Sequence, residues 1–150
     1  MLARRASLVA IALAIVAAMA LCAGLAGCGG DTTLKDGTYT GTSSVMEDYD
    51  GIGSGYGVVT ITIRDGAITA CTFVTYEKDG TLKDANYGKT LNDNQAFYAM
   101  AQKAVAACDE YAAALVAAGS LDGVDAISGA TVNYDQFCEA VDDALAQARG

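Results

Sequence analysis

The chain has 150 residues, with 9 Lys and Arg against 18 Asp and Glu and no His, which gives a formal net charge of −9 at pH 7. This acidic balance argues against nucleic acid and anionic lipid headgroups as partners. The lack of His excludes His-ligated metal sites and a CxxCH haem attachment.

The first 28 residues have the pattern of an export signal. Two arginines precede an apolar run from Leu8 to Leu21, and small residues then lead to Cys28. A charged start, an apolar centre and a small-residue cleavage site are typical of signal peptides. The sequence Leu25-Ala26-Gly27-Cys28 also resembles the lipobox of bacterial lipoproteins, in which the Cys is lipidated. The alternative is an uncleaved anchor, because the apolar run approaches the ~20 residues that span a bilayer.

These features divide the chain into a signal peptide (residues 1–27), a lipidated tether (residues 28–35) and one domain (residues 36–150). Cleavage would leave 123 residues (150 less 27), a normal size for a single domain. The signal holds two of the nine basic residues and none of the acidic ones, so the mature charge is 7 less 18, or −11. We expect an extracytoplasmic domain anchored to a membrane as a lipoprotein.

Strands and turns are predicted between residues 34 and 90. The first strand is expected from Leu34 to Thr42. Val58 to Ile63 and Ile68 to Tyr76 alternate apolar and polar residues on either side of Asp65-Gly66, which predicts a β-hairpin. Thr81 to Lys83 is a candidate for a further short arm.

A glycine-rich segment, Gly51 to Gly57, precedes the hairpin. Its glycines fall at every second position, so the segment does not match the G-x-G-x-x-G pattern, and no βαβ unit surrounds it. We interpret it as a turn that lies against a cofactor or as a simple loop.

Two helices are predicted after the strands. The first extends from Asn94 to Ala118, with Gly119 as its C-cap, and its apolar stripe is interpreted as core packing. The second is expected to begin at Asn133 as N-cap, with Gln136 completing a capping box. The stripe of the first helix consists of Phe97, Met100, Ala101, Ala104, Cys108, Tyr111 and Leu115. This order of elements predicts an α+β domain, a small antiparallel sheet with helices packed on one side.

Between the helices lies the segment Asp125-Ala126-Ile127-Ser128-Gly129-Ala130-Thr131. The small residues Ser128, Gly129 and Ala130 leave the hydroxyl of Thr131 unshielded, and Gly129 lets the backbone approach a bulky group. A phosphate on Thr131 would lie beside a helix N-terminus, which favours anions. The alternative is an ordinary polar turn that caps the helix, with Asp125 capping the loop.

This segment matches the D-x-x-S-G-A-T sequence of the FMN-binding domain family, which includes the flavin-bearing C and G subunits of the sodium-pumping NADH:quinone reductase and Rnf complexes. Asp36-Gly37-Thr38-Tyr39 and Gly55-Tyr56-Gly57 also resemble the family, so that the resemblance covers most of residues 36–148. It implies that Thr131 carries covalent FMN through a phosphoester, that Ser128, Gly129 and Ala130 belong to the site, and that Asp125 assists an FAD-dependent flavin transferase.

The resemblance predicts an extracytoplasmic electron carrier that exchanges electrons with redox proteins or quinone-linked donors. The chain shows no nucleophile–base arrangement and no substrate domain, so an autonomous enzyme is not expected. Two alternatives are a flavin-dependent reductase acting directly on a substrate and a flavin-free binding or inhibitor lipoprotein.

Three cysteines remain in the domain once the signal is removed and Cys28 is lipidated, namely Cys71, Cys108 and Cys138. At most one disulfide could form among them. Their spacing fits neither a CxxC redox pair nor a zinc site.

Overall fold

The computed structural model describes residues 33–47, 53–89 and 94–150. The predicted signal peptide, Cys28 and most of the tether lie outside the described residues, as do Gly51 and Ile52 of the glycine-rich segment. The expectations of export, cleavage and lipidation therefore stay predictions.

Three antiparallel strands form the sheet, in the order β1-β2-β3. They are β1 (Gly37–Thr42), β2 (Tyr56–Arg64) and β3 (Ala67–Tyr76). The hairpin predicted around Asp65-Gly66 is confirmed, and a bulge interrupts its register at Thr62 and Ile63. The short arm after β3 amounts to one isolated bridge between Tyr76 and Leu82.

The alternation in the sequence separates the two faces of the sheet. Val59, Ile61 and Ile63 of β2 are buried and point towards the helices. On the opposite face, Thr38 faces Thr62 and Thr40 faces Thr60, with their hydroxyl oxygens 3.4 and 3.3 Å apart. The predicted α+β domain with helices on one side of a small antiparallel sheet is confirmed.

Two helices cover the apolar face, α1 (Gln95–Ala118) and α2 (Thr131–Arg149), with a short 3-10 helix, Leu121–Gly123, between them. The side chain of Asn94 accepts hydrogen bonds from the first N–H groups of α1, and Gly119 ends that helix in the left-handed conformation, as expected. No helix in the part of the chain that the structure describes is long and apolar enough to span a membrane.

Helix α2 lies very close to the outer strand β1. A Cβ atom at Gly41 would be 1.9 Å from the carbonyl oxygen of Ala140, so only glycine allows this approach. The β1 edge is covered by side chains of α2, since Asp143 accepts from the N–H of Thr42 at 3.0 Å and Gln147 donates to the carbonyl of Thr40 at 2.9 Å. These bonds satisfy backbone groups that an edge strand otherwise leaves exposed.

The first strand is shorter than its sequence predicts and begins at Gly37 instead of Leu34. The N–H of Lys35 donates to the carbonyl of Ala148 at 3.0 Å. The residues before Gly37 are therefore bound to the end of α2, and they do not extend the sheet.

Candidate functional site

A cavity of about 250 Å³ lies between the first turns of α1, the N-terminus of α2 and the segments that flank the sheet at its Thr75 end. Its lining is mostly apolar along α1 and more polar on the opposite side. The α1 wall consists of Phe97, Met100, Ala101, Ala104 and Val105; the α2 end contributes Gly129, Ala130, Thr131, Val132 and Asn133; and the remaining wall consists of Gly53, Thr75, Lys83 and Tyr87.

Thr131 is the first residue of α2, is exposed, and lies in the cavity wall. Gly129 and Ala130 also line the cavity, whereas the exposed Ser128 and Asp125 do not. Gly129 has a φ of 84°, a left-handed conformation that favours glycine and turns the chain just before Thr131. The structure thus brings three of the five predicted site residues to the cavity.

The turn before Thr131 is held by the buried hydroxyl of Tyr111 and by a backbone hydrogen bond from the N–H of Ala130 to the carbonyl of Ile127 at 2.9 Å. Tyr111 of α1 is fully buried, and its hydroxyl accepts a hydrogen bond from the N–H of Ile127 at 2.9 Å and donates one to the carbonyl of Ala130 at 3.1 Å. The hydroxyl of Tyr134 donates to the carbonyl of Val124 at 2.9 Å. Both tyrosines therefore fix the backbone that presents Thr131.

The N-terminus of α2 has no side-chain cap. Its N-cap residue is Ala130, which carries no polar group, and the first helical hydrogen bond runs from the N–H of Tyr134 to the carbonyl of Ala130. The N–H groups of the preceding first-turn residues therefore have no acceptor within the helix. Because the macrodipole adds positive potential there, this end of α2 suits an anion.

The prediction that Asn133 caps α2 and that Gln136 completes a capping box is wrong. Both side chains point into the domain. The Asn133 amide donates to the carbonyl of Ala104 at 2.9 Å and to the sulfur of Cys108 at 3.4 Å. The amide of Gln136, which is fully buried, donates to the carbonyl of Gly55 at 3.0 Å, and its Oε1 atom has no hydrogen-bond partner. The N-cap is Ala130 instead of Asn133, so the helix begins three residues earlier than predicted.

Lys83 and Tyr87 are cavity residues that the sequence did not single out. Lys83 is only 5% exposed, and its N–H donates to the carbonyl of Thr75 at 2.9 Å. Its Nζ donates to the carbonyl of Gly53 at 2.9 Å and lies 5.0 Å from the centroid of the Tyr87 ring. The Tyr87 hydroxyl accepts from the N–H of Gly53 at 3.1 Å. Gly53 therefore forms backbone hydrogen bonds with both side chains. It belongs to the glycine-rich segment that we interpret as a turn against a cofactor or a simple loop.

The apolar stripe of α1 divides into two parts. Cys108, Tyr111 and Leu115 belong to the core, as expected. Phe97, Met100, Ala101 and Ala104 line the cavity instead, and Met100 is 55% exposed. Periodicity alone does not distinguish a residue that packs on the sheet from one that faces a cavity on the same side of the helix.

Cys71, Cys108 and Cys138 are free thiols. Burial raises the pKa of Cys71 to about 11, and burial is also the main cause of the raised pKa values of Cys108 and Cys138. Thiols with raised pKa values are poor nucleophiles at neutral pH. In the described ranges, no group of three His, Cys, Asp or Glu residues is placed to hold a metal ion.

Comparison with one solved structure shows a similar fold. A protein from Clostridium perfringens of known crystal structure is 24% identical, with 77% of this chain and 88% of that chain covered at a TM-score of 0.57. A solution structure from Clostridium thermocellum is 23% identical, with 74% and 92% covered at a TM-score of 0.38. No curated protein matches the chain.

The sequence pattern of the FMN-binding domain matches residues 53–146, which include the hairpin, α1, most of α2 and every residue of the cavity wall. The resemblance drawn from the sequence is thus confirmed over more than half of the chain. The chain belongs to the FMN-binding domain family and is a flavin-binding protein.

Proposed function

We propose that Thr131 carries FMN through a phosphoester bond and that the protein carries electrons outside the cytoplasm, tethered to a membrane through Cys28. The observation that carries this proposal is the exposed Thr131 at the uncapped N-terminus of α2, in the wall of the cavity. Ser128, Gly129 and Ala130 form the turn that presents Thr131, and Asp125 is proposed to assist the transferase.

The residues at the site fit FMN. A phosphoryl group on Thr131 would meet the N–H groups of the first turn of α2, which have no side-chain cap. The cavity, at about 250 Å³, is slightly smaller than the ~300 Å³ at the lower end of small-molecule sites. It would accept the ring system of FMN and not the whole cofactor, with Thr131 in the wall as the residue that would hold the phosphate.

Bound FMN would supply the redox chemistry, since it can accept electrons in pairs and release them singly. The chain's own residues hold and orient it. Tyr111 fixes the backbone before Thr131, the α1 side chains exclude water from one wall, and Lys83 brings a cation to the other wall.

A covalent bond suits a flavoprotein outside the cytoplasm, where a dissociated cofactor would be diluted away. The chain is also strongly acidic, with a formal net charge of −9, which disfavours holding a phosphate by charge alone. We propose an FAD-dependent flavin transferase as the partner that installs FMN, and redox proteins or quinone-linked donors as the partners that exchange electrons with it.

Flavin retention under denaturing conditions tests the attachment. The protein produced with a flavin transferase and FAD should fluoresce in a denaturing gel, and Thr131→Ala should not, because the acceptor hydroxyl is lost. Thr38→Ala, which removes an exposed hydroxyl from the open face of the sheet, is the matched control and should fluoresce like the wild type. A fluorescent Thr131→Ala band would refute the assignment.

Reoxidation kinetics separate a carrier from a reductase. The reduced protein should pass electrons to ferricyanide and quinone analogues and discriminate little among organic acids such as fumarate, because no acid–base pair or substrate domain is evident. Fast, saturable oxidation by one organic acid alone would establish the reductase alternative.

A further inference from the structure

The cavity contains a buried cation. Lys83 is 5% exposed, which is rare for lysine, yet it lines the same cavity as Thr131. Its Nζ is held by the carbonyl of Gly53 at 2.9 Å and faces the Tyr87 ring at 5.0 Å. The ammonium is therefore fixed in the wall and is not free to move out into water.

The positive charge of Lys83 acts on one buried neighbour, Cys108. Burial is the main cause of the raised pKa of Cys108, hydrogen bonds with Asn133 and Thr75 oppose this rise, and the charge of Lys83 opposes it more weakly. A charge in a poorly solvated site acts more strongly on a second charge than it does at the surface. A negative charge that develops inside this cavity would therefore be stabilised.

We propose that Lys83 stabilises the negative charge that FMN acquires on reduction and thereby raises the reduction potential of the site. This inference rests on the proposed function. Two electrons from a reductant such as dithionite, together with one proton from water, convert the neutral isoalloxazine into a ring with one negative charge. Only the reduced ring carries this charge, so Lys83 favours the reduced state over the oxidised one.

Lys103 provides a matched control at the mouth of the cavity. It is exposed, and its Nζ would lie 3.6 Å from a Cβ atom built at Gly129. Lys103 is thus a cation close to the turn before Thr131, but solvent screens it. Removing it should change the potential much less than removing Lys83.

The test is the midpoint potential of the flavin-loaded full-length protein, measured by spectroelectrochemistry. Lys83→Met should shift the reduction equilibrium at least tenfold towards the oxidised form, or about 30 mV for two electrons. Lys83→Arg should keep most of the wild-type value, and Lys103→Met should shift the equilibrium less than threefold. Equal potentials in wild type and Lys83→Met, or equal shifts at both positions, would overturn the inference.

A measurement on the unmutated protein covers the case in which Lys83→Met does not fold. Beside a cation the reduced ring should stay anionic to lower pH than in free FMN, so between pH 5 and 6.5 the potential should change by only about 30 mV for each tenfold change in proton concentration. A slope equal to that of free FMN over this range contradicts the inference. Absence of covalent flavin in the wild type would instead contradict the proposed function.

Discussion

The hydroxyl of Tyr111 donates a hydrogen bond to the carbonyl of Ala130 at 3.1 Å, one residue before Thr131. The same oxygen accepts from the N–H of Ile127, so one buried side chain closes the turn from both ends. The ring is held in turn by Phe137, with the two ring centroids 5.6 Å apart. The backbone before Thr131 is thus positioned by a side chain that does not line the cavity.

Replacing Tyr111 by Phe should lower the free energy of unfolding by roughly 1–3 kcal/mol, because the N–H of Ile127 and the carbonyl of Ala130 both lose a buried partner. Flavin attachment to Thr131 should also become slower. Urea unfolding and a fluorescence time course after addition of transferase measure the two effects. Tyr39→Phe, which removes a hydroxyl bonded to the Lys35 carbonyl, is the control and should leave attachment unchanged. Attachment at the wild-type rate in Tyr111→Phe would contradict the positioning role.

Asn133→Asp distinguishes the predicted role of Asn133 from the observed one. Asp is as good an N-cap as Asn, so a capping residue would tolerate this change. In the structure the Asn133 amide donates to the carbonyl of Ala104, and a carboxylate there would be buried against an acceptor. We expect a loss of roughly 1–3 kcal/mol in unfolding free energy.

Asn94→Asp is the matched control for Asn133→Asp, because Asn94 does cap a helix. It should be tolerated within about 0.5 kcal/mol. Chemical denaturation of the two variants side by side gives the comparison. Equal free energies of unfolding for the two variants would contradict the buried role of the Asn133 amide.

Cys71 should react slowly with alkylating reagents at neutral pH, because burial raises its pKa to about 11. The rate should rise about tenfold per pH unit between pH 8 and 10, since only the thiolate reacts. Mass spectrometry with Cys71→Ser as control assigns the site. The Cys71 thiol has a lower pKa in the unfolded chain than in the folded one. Its contribution to the free energy of unfolding should therefore fall from about pH 9 upwards. Rapid labelling of Cys71 at pH 7 would contradict its burial.

Cys28 should be the N-terminal residue of the mature protein and carry lipid, because Leu25-Ala26-Gly27 provides the cleavage context. Cys28→Ala should leave an unprocessed precursor. Mass spectrometry of the membrane fraction decides the point, with Cys22→Ala as a control that should be processed normally. A wild-type N-terminus upstream of Cys28 would favour the uncleaved anchor.

Local patterns are enough to predict the β2–β3 hairpin and α1, but not the start of β1. The alternation over Val58 to Ile63 can be read from neighbouring residues alone. Asn94 caps the start of α1 and Gly119 caps its end, both through contacts within a few positions along the chain. The start of α2 could not be predicted in this way. The partners of Asn133 are Ala104 and Cys108, on another helix, and local capping rules contain no information about them.

The cavity residues differ in whether the sequence reveals them. Thr131 can be recognised because its neighbours form a contiguous motif that matches a family. Lys83 cannot, since a lysine in a polar, turn-rich stretch is expected to be solvated. It is buried because its backbone pairs with Thr75 and its ammonium reaches Gly53, contacts that depend on the folded chain.

The contact between Lys35 and Ala148 places the start of the domain beside the C-terminal end of α2. Lys35 is the last residue of the tether and is bound to Ala148 near the C-terminal end of α2, whereas Thr131 begins that helix, 17 residues and about 26 Å away along its axis. The cavity thus lies at the end of α2 remote from the residue at which the tether joins the domain. A partner that contacts the cavity would therefore approach the domain from the side opposite this junction.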